Sequence, residues 1–244
     1  MDKILEKNKK VWSLVGLRGS FGLICNELLK EDKDFYIITA DVSTSAGLDR
    51  LKKQNPDRII DTGIAEQNMV GMAAGLSQEG KLPVVNSFAA FIAMRACEQV
   101  RTDVAYPNLN VKFVVSHAGV SAGSAGPTHH TYEDIGIMRS IPNMSVFVPG
   151  DVREMRQVID AAIDLKGPAY VRISAIDIPD TYSKEDRFEI GKATLLNDGD
   201  DLTIITTGTM MFEASQVVKN LQEKDISARL LQMASIKPIK EIID

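Results

Sequence analysis

Glu66 has the strongest claim to chemistry in this chain. It follows a strand-like run, Arg58-Ile59-Ile60-Asp61, across a short turn, and the pattern predicts a helix from about Ala65. A carboxylate in a first helical turn, just past a sheet strand, stands where open α/β sheets hold their ligands. It has a plainer use as well, because a negative charge there favours the positive end of the helix dipole by roughly 0.3–1 kcal/mol. Phe88 and Phe91 lie one helical turn apart. That spacing serves core packing, or it offers flat faces to a flat heteroaromatic ring. All 3 histidines, His117, His129 and His130, fall in one short interval. With Glu133 or Asp134 they could be read as metal ligands, but they sit in a loop and lack the spacing of a zinc motif. Asp41, directly after an apolar run, reads on its own as a loop cap, and Arg18 and Ser45 as solvated surface residues.

Elements that could position these residues are visible in the apolar pattern. A polar lead-in over residues 1–17 precedes a helix from about Ser20 to Lys30, with Phe21, Ile24, Cys25 and Leu28 on one face. Strand-length apolar runs follow at Phe35–Ala40, Leu82–Asn86, Val111–Val115, Ser145–Val148 and Ala169–Ile173. Between them lie the helix after Glu66, a helix from Phe88 to about Ala105, another over Tyr132–Ser140, and one over Val152–Leu165 that Asp151 caps. Gly119 to Thr131 is a loop rich in Gly, Ala and Ser. Strands that are apolar throughout and alternate with helices predict the α/β class, with a mostly parallel sheet sandwiched by helices. Residues 177–190 turn polar and charged, as a linker would. Beyond them Leu202–Thr206, Thr209–Glu223 and Ala228–Leu231 form one βαβ unit, too little to bury an independent core.

The net charge of −5, with no basic cluster, argues against nucleic-acid binding. No apolar run approaches the ~20 residues needed to cross a bilayer. The mixed charges of the first residues do not form a signal core. Cys25 and Cys97 are expected as buried free thiols in a reducing compartment, and the chain as cytoplasmic.

The stretch Gly63-Ile64-Ala65-Glu66-Gln67-Asn68-Met69-Val70-Gly71-Met72-Ala73-Ala74-Gly75 resembles the pyrimidine-binding (Pyr) segment of transketolase-type thiamine diphosphate enzymes. The resemblance continues in order through Ser87–Phe91, Ser116–Gly119, Gly126–His129, Glu133-Asp134 and Ile141–Met144. Several blocks in register are far more specific than one. The resemblance implies a Pyr domain over residues 1–176, a linker over 177–190 and the beginning of a C-terminal domain over 191–244. It implies a subunit of a transketolase, an enzyme that transfers a two-carbon ketol unit between a ketose and an aldose, with sugar phosphates as the expected substrates. Glu66 would hold a proton at N1′ of the cofactor's aminopyrimidine, which requires a dehydrated, close carboxylate. Phe88 and Phe91 would wall that ring, with His129, Asp41 and Ile64 also beside the cofactor. His117 would contact the donor near its reacting carbons, and Arg18 and Ser45 would hold a phosphate end.

Some positions depart from the resembled family. Ser124-Ala125 stands where many members have an acidic pair, and Ala175 stands where an Arg usually binds phosphate. Lost polar contacts at discriminating positions point to a changed substrate, and Arg172 is the neighbour that could compensate. The family's Gly-Asp-Gly segment with a following Asn, which holds Mg²⁺ and diphosphate in a separate PP domain, has no counterpart in this sequence. The resemblance therefore implies a PP-domain partner chain that holds the metal, no metal site in this chain, and a heterotetramer that includes a second copy of it. Related readings are a deoxyxylulose-phosphate-synthase-like enzyme and the β subunit of a 2-oxo-acid dehydrogenase. A reading from another class is a catalytically silent partner of a PP-domain chain.

Overall fold

The computed structural model describes residues 2–183 and 185–240, with side chains from Val15 onward. The readings that extend to Met1, Lys184 and residues 241–244 lie outside the described residues. The strands are β1 (Tyr36–Thr39), β2 (Ile59–Asp61), β3 (Pro83–Asn86), β4 (Lys112–Val115), β5 (Ser145–Phe147), β6 (Ala169–Arg172), β7 (Thr194–Asn197), β8 (Leu202–Thr206), β9 (Ala228–Gln232) and β10 (Ser235–Lys237). Seven of them form one sheet in the order β10-β5-β6-β4-β3-β1-β2. Every pairing in it is parallel except the antiparallel edge pair β10–β5. A second sheet has the order β7-β9-β8.

The strands are apolar throughout because both faces of the main sheet are covered. Successive side chains on a strand point to opposite faces. Ile37, Val84, Val114, Phe147 and Val171 accordingly enter one core cluster, while Ile38, Val85, Phe113, Val146 and Tyr170 enter the other. Helices α1 (Asp2–Lys30) and α6 (Val152–Asp164) close the first face with Phe21, Ile24, Leu28, Val158 and Ile159. The short α2 (Asp49–Gln54) adds Leu51. On the second face α3 (Glu66–Gln78) contributes Met69, Val70 and Ala73, and α5 (Asp134–Ser140) contributes Met138. Each large apolar side chain among these, fully buried, is worth roughly 1.5–3 kcal/mol. Helix α7 (Met210–Gln222) packs Val218 against the second sheet.

Several expectations are corrected. Residues 2–17 of the expected polar lead-in are part of α1, which is broken at Gly16 (φ 65, ψ 177). Its Lys, Glu and Leu residues are good helix formers, and a side chain at Gly16 would run into Asp177. The helix expected over Phe88–Ala105 is instead two π-helical segments, Phe91–Arg95 and Val100–Ala105, joined by the single turn α4 (Cys97–Gln99). Cys25 is fully buried, and burial pushes its thiol pKa up. Cys97, in the single turn α4 between the two π segments, is only half-buried. The chain also returns to the main sheet at β10, beyond the single βαβ unit read from the sequence.

Two polar groups tie these layers together. Lys112 on β4 is buried, and its ammonium donates to the carbonyls of Leu165 and Gly167, both at 2.6 Å, closing the end of α6. Asp151 caps the start of α6 by accepting the Glu154 N–H at 2.9 Å, as expected from sequence. Its other oxygen accepts the N–H groups of Thr181 and Tyr182, so the same carboxylate anchors the connecting segment.

Candidate active site

The candidate residues gather at the carboxyl ends of β1 to β4. Asp41 lies past β1, Ile64 and Glu66 past β2, Phe88 past β3 and His117 past β4. Parallel strands deliver their carboxyl ends to one edge, which is where ligands enter such sheets. Asp41 and His117 share an uncommon backbone conformation for non-glycine residues, each with φ 58. Such strain clusters at functional sites and persists only where the surroundings enforce it. At Asp41 the enforcing group is Asp61. Its Oδ1 accepts the N–H of Asp41 at 3.0 Å and of Gly63 at 3.1 Å. Burial opposes ionisation of Asp61, but these bonds and Lys52 outweigh it and hold the carboxyl below the usual range. The turn that launches α3 is thus pinned by an acid one strand away from Asp41.

His117 is buried and its roles can be assigned from chemistry. Arg18 Nη1 lies 3.3 Å from His117 Nε2, and a guanidinium can only donate. Nε2 is therefore an acceptor, and the proton of the neutral ring sits on Nδ1, which donates to Ser116 Oγ at 2.9 Å. Burial first, then Arg18 and His129, push the imidazole down to about 4, so the ring is neutral at pH 7. Its ring centroid lies 3.9 Å from that of Phe88. Phe88 stacks on Phe91 at 5.6 Å, and His129 meets Phe91 edge-on at 5.2 Å. His129 Nδ1 is 3.0 Å from Thr128 Oγ1.

Glu66 is 1% exposed in the first turn of α3, and Arg95 Nη1 donates to its Oε2 at 2.6 Å. The Arg95 guanidinium also lies 4.3 Å over the Phe91 ring centroid. Glu66, Arg95, Phe91, Phe88, His129, His117 and Arg18 are thereby linked in one continuous cluster. Ile64 is 75% exposed and Ser45 half-buried before α2, and neither joins that cluster. On the outer face of α3, Met72 is exposed, and Gly71 and Gly75 have open space where a side chain would stand.

Arg172 does not replace the missing cation at Ala175. Its Nε donates to the fully buried Asp134 at 2.7 Å, and Tyr170 donates to the same oxygen at 3.0 Å. The guanidinium lies under Gly119, where a Cβ would approach its Nη2 to 3.4 Å, so Arg172 props the loop. The Ala175 N–H is taken by Ser121 Oγ at 3.0 Å. Ser124 and Ala125 lie in a 3-10 turn over Gly123–Ala125, and His130 Nε2 donates to the Gly123 carbonyl at 3.1 Å.

The Arg95 guanidinium tests what this cluster accepts. It is a flat, conjugated C–N group whose N–H donates to Glu66 while its face covers Phe91. An aminopyrimidine is likewise flat and conjugated, and in its N1′-protonated or imino form it carries an N–H that Glu66 can accept, so the residues fit that ring. Among the described residues no group of three or more His, Cys, Asp or Glu could hold a metal ion. Also among them, no helix is long and apolar enough to cross a membrane.

Sequence reasoning missed Arg95, Ser116 and Asp61 as parts of this site. Arg95 stands four residues after Phe91, a spacing at which helical side chains meet. Asp61 left only the signal of an acid ending a strand. Ser116 left none beyond adjacency to His117.

The transketolase pyrimidine binding domain matches residues 15–179, and the transketolase C-terminal domain matches residues 191–243. A Methanocaldococcus jannaschii protein, provisionally named a transketolase C-terminal section, is 45% identical over 230 residues, covering 93% of this chain and 73% of that one. An apulose-4-phosphate transketolase subunit of Phocaeicola vulgatus is 40% identical over 228 residues, covering 93% and 73%. Among solved structures, a split-gene transketolase in an inactive beta4 tetramer superposes with a TM-score of 0.83 at 40% identity, covering 92% of this chain and 73% of that one.

Proposed function

The chain belongs to the transketolase family, and we propose from that premise that it is the pyrimidine-binding half of a two-chain transketolase. It transfers a two-carbon ketol unit from a ketose to an aldose and acts only with its partner chain. The observation that carries this reading is the single cluster joining Glu66, Phe91, Phe88, His129 and His117 at one sheet edge. The family depends on thiamine diphosphate, which when bound supplies the electron sink for breaking and making the carbon–carbon bond.

This chain's residues do the rest. Glu66, dehydrated by burial, holds and returns a proton at the aminopyrimidine N1′. Phe91 and Phe88 give that ring an aromatic wall, and His129 closes its edge. His117 is neutral at pH 7, and once Arg18 turns from its Nε2 to an anionic substrate end, Nε2 accepts a hydrogen bond from a donor hydroxyl near the reacting carbons. Arg18 and Ser45 take the anionic end of a sugar phosphate, while Asp41 and Ile64 line the cofactor's approach. The partner is a PP-domain chain that holds Mg²⁺ and the diphosphate, in a cytoplasmic heterotetramer with two copies of this chain. The open stripe of Ile64, Asn68, Gly71, Met72 and Gly75 on α3 suits close contact with it. Residues 1–176 act as the Pyr domain, 177–190 as linker and 191–244 as part of the C-terminal domain.

Reconstitution tests the reading. The chain is mixed with a PP-domain partner, thiamine diphosphate and Mg²⁺, and ketol transfer is followed across a panel of ketoses. Activity should require both chains, and Glu66→Gln should lower it by roughly 10²–10⁴-fold. A correctly assembled complex with no turnover would leave the chain as a silent partner.

A further inference from the structure

We propose that Arg95 is the resident counter-ion of the aminopyrimidine slot and sets the affinity of the site for its cofactor. The inference rests on the function proposed above. Arg95 uses both groups that the ring needs. Its Nη1 is 2.6 Å from Glu66 Oε2, and its guanidinium carbon is 4.3 Å from the Phe91 centroid. A guanidinium at that distance fills the space directly over the ring. No second flat group can cover the same part of Phe91 and bond the same oxygen, so Arg95 must release both before a cofactor ring can use them.

The surroundings make that release feasible. The Glu66 side chain is 1% exposed, but that of Arg95 is 46% exposed, so the guanidinium stands between the carboxylate and solvent. Arg95 closes the π-helical segment that begins at Phe91, in which the Ala96 N–H bonds back to the Phe91 carbonyl at 3.0 Å. Four residues apart on this segment, Arg95 and Phe91 stand on the same side of the helix. π segments of this kind are frequent at functional sites. From there the long side chain can swing outward without moving the backbone. Its departure costs one charge-assisted hydrogen bond and one cation–ring contact, and the incoming ring replaces both.

Arg95 therefore does three things. It keeps a buried carboxylate paired, it keeps the Phe91 face covered, and it weakens cofactor binding by the free energy of its own contacts. A residue that merely braces the fold would do only the first of these. A residue that grips the cofactor directly would strengthen binding.

The test is calorimetric titration of thiamine diphosphate, with Mg²⁺, into the complex of this chain with its PP-domain partner. Wild type, Arg95→Ala and Arg95→Lys are compared, and the melting temperature of each complex is recorded with and without cofactor. Arg95→Ala should bind roughly three- to tenfold more tightly, the range expected for removing one half-exposed charged contact. Its melting temperature without cofactor should fall, and the deficit should close at saturation. Arg95→Lys, which keeps the charge but loses the flat face, should fall between the two. Unchanged or weaker binding by Arg95→Ala, with wild-type binding intact, overturns the proposal. So does intermediate stability with unaltered affinity in Arg95→Lys, if the alanine variant does not assemble. Failure of the wild-type complex to bind the cofactor at all would instead sink the proposed function itself.

Discussion

Replacing Glu154 by Gln should stabilise the protein more and more as the pH is raised. Glu154 is fully buried in the first turn of α6. Its Oε2 accepts the Gly150 N–H at 2.6 Å and the Gln232 amide at 2.8 Å, while Oε1 has no partner. Burial pushes the carboxyl up from 4.5 to about 8, with Asp151 and Asp186 adding to the rise and the two hydrogen bonds opposing it. Between those values the folded chain binds a proton that the unfolded chain has lost, so folding stability declines as pH rises through that window. From about pH 5 to about pH 8 the decline is roughly 3 kcal/mol. Gln cannot titrate, and its carbonyl can accept the same two donors. Urea denaturation of both proteins across the range should show the stability difference moving in the variant's favour by roughly 3 kcal/mol, on the order of 1 M in midpoint. His117 and Lys112, whose pKa values are lowered by burial, titrate with the opposite sign, but they are common to both proteins and cancel. A difference that does not change with pH would refute the reasoning, because Glu154 would then hold one protonation state throughout.

His117 should titrate near 4 by NMR of the imidazole carbon, and Arg18→Ala should move its midpoint upward, since Arg18 is the second cause of the depression after burial. Its contribution to stability should accordingly be present above about pH 6.5 and fade as pH falls towards 4, seen in acid unfolding of wild type against His117→Phe. Asp151→Ala should cost roughly 3 kcal/mol in thermal or urea unfolding, about 1 for the cap and the rest for leaving the Thr181 and Tyr182 N–H groups unbonded. Asp151→Asn, which keeps an acceptor for the cap, should cost clearly less.

The main sheet was readable because its strands are short apolar runs between helical patterns, and only a two-sided burial explains such runs. Strand β10 was not, since Ser235-Ile236-Lys237 ahead of Pro238 carries no apolar run and owes its pairing to β5. The π segments were invisible for a related reason. Over five or six residues, an apolar spacing cannot distinguish an ordinary helical turn from a wider one. Glu66, Phe88, Phe91 and His117 could be named from their block of residues. What each is bonded to could not. The proton on His117 Nδ1 depends on Arg18, 99 residues away, and that pairing exists only once α1 has packed beside the sheet. Arg95 looked like an ordinary helix residue, because the sequence does not show that its guanidinium reaches both Glu66 and Phe91.

The same geometry explains why this chain's chemistry is bound to assembly. Proton transfer at a buried carboxylate works only where water is excluded, because water lowers the strength of every electrostatic contact inside. The sheet edge supplies one wall of such a site, in Phe88, Phe91 and the loop propped by Arg172. Ile64, Met72, Met94 and Tyr132 are exposed apolar side chains, and Glu66 is shielded by a side chain that is itself half in solvent. A second surface laid over these residues would bury their apolar area and cover the half-exposed Arg95 that stands over Glu66 in one step. Affinity for the partner and readiness for catalysis would then draw on the same contacts. Weakening that exposed surface, for instance at Met72 on α3, would reduce both together.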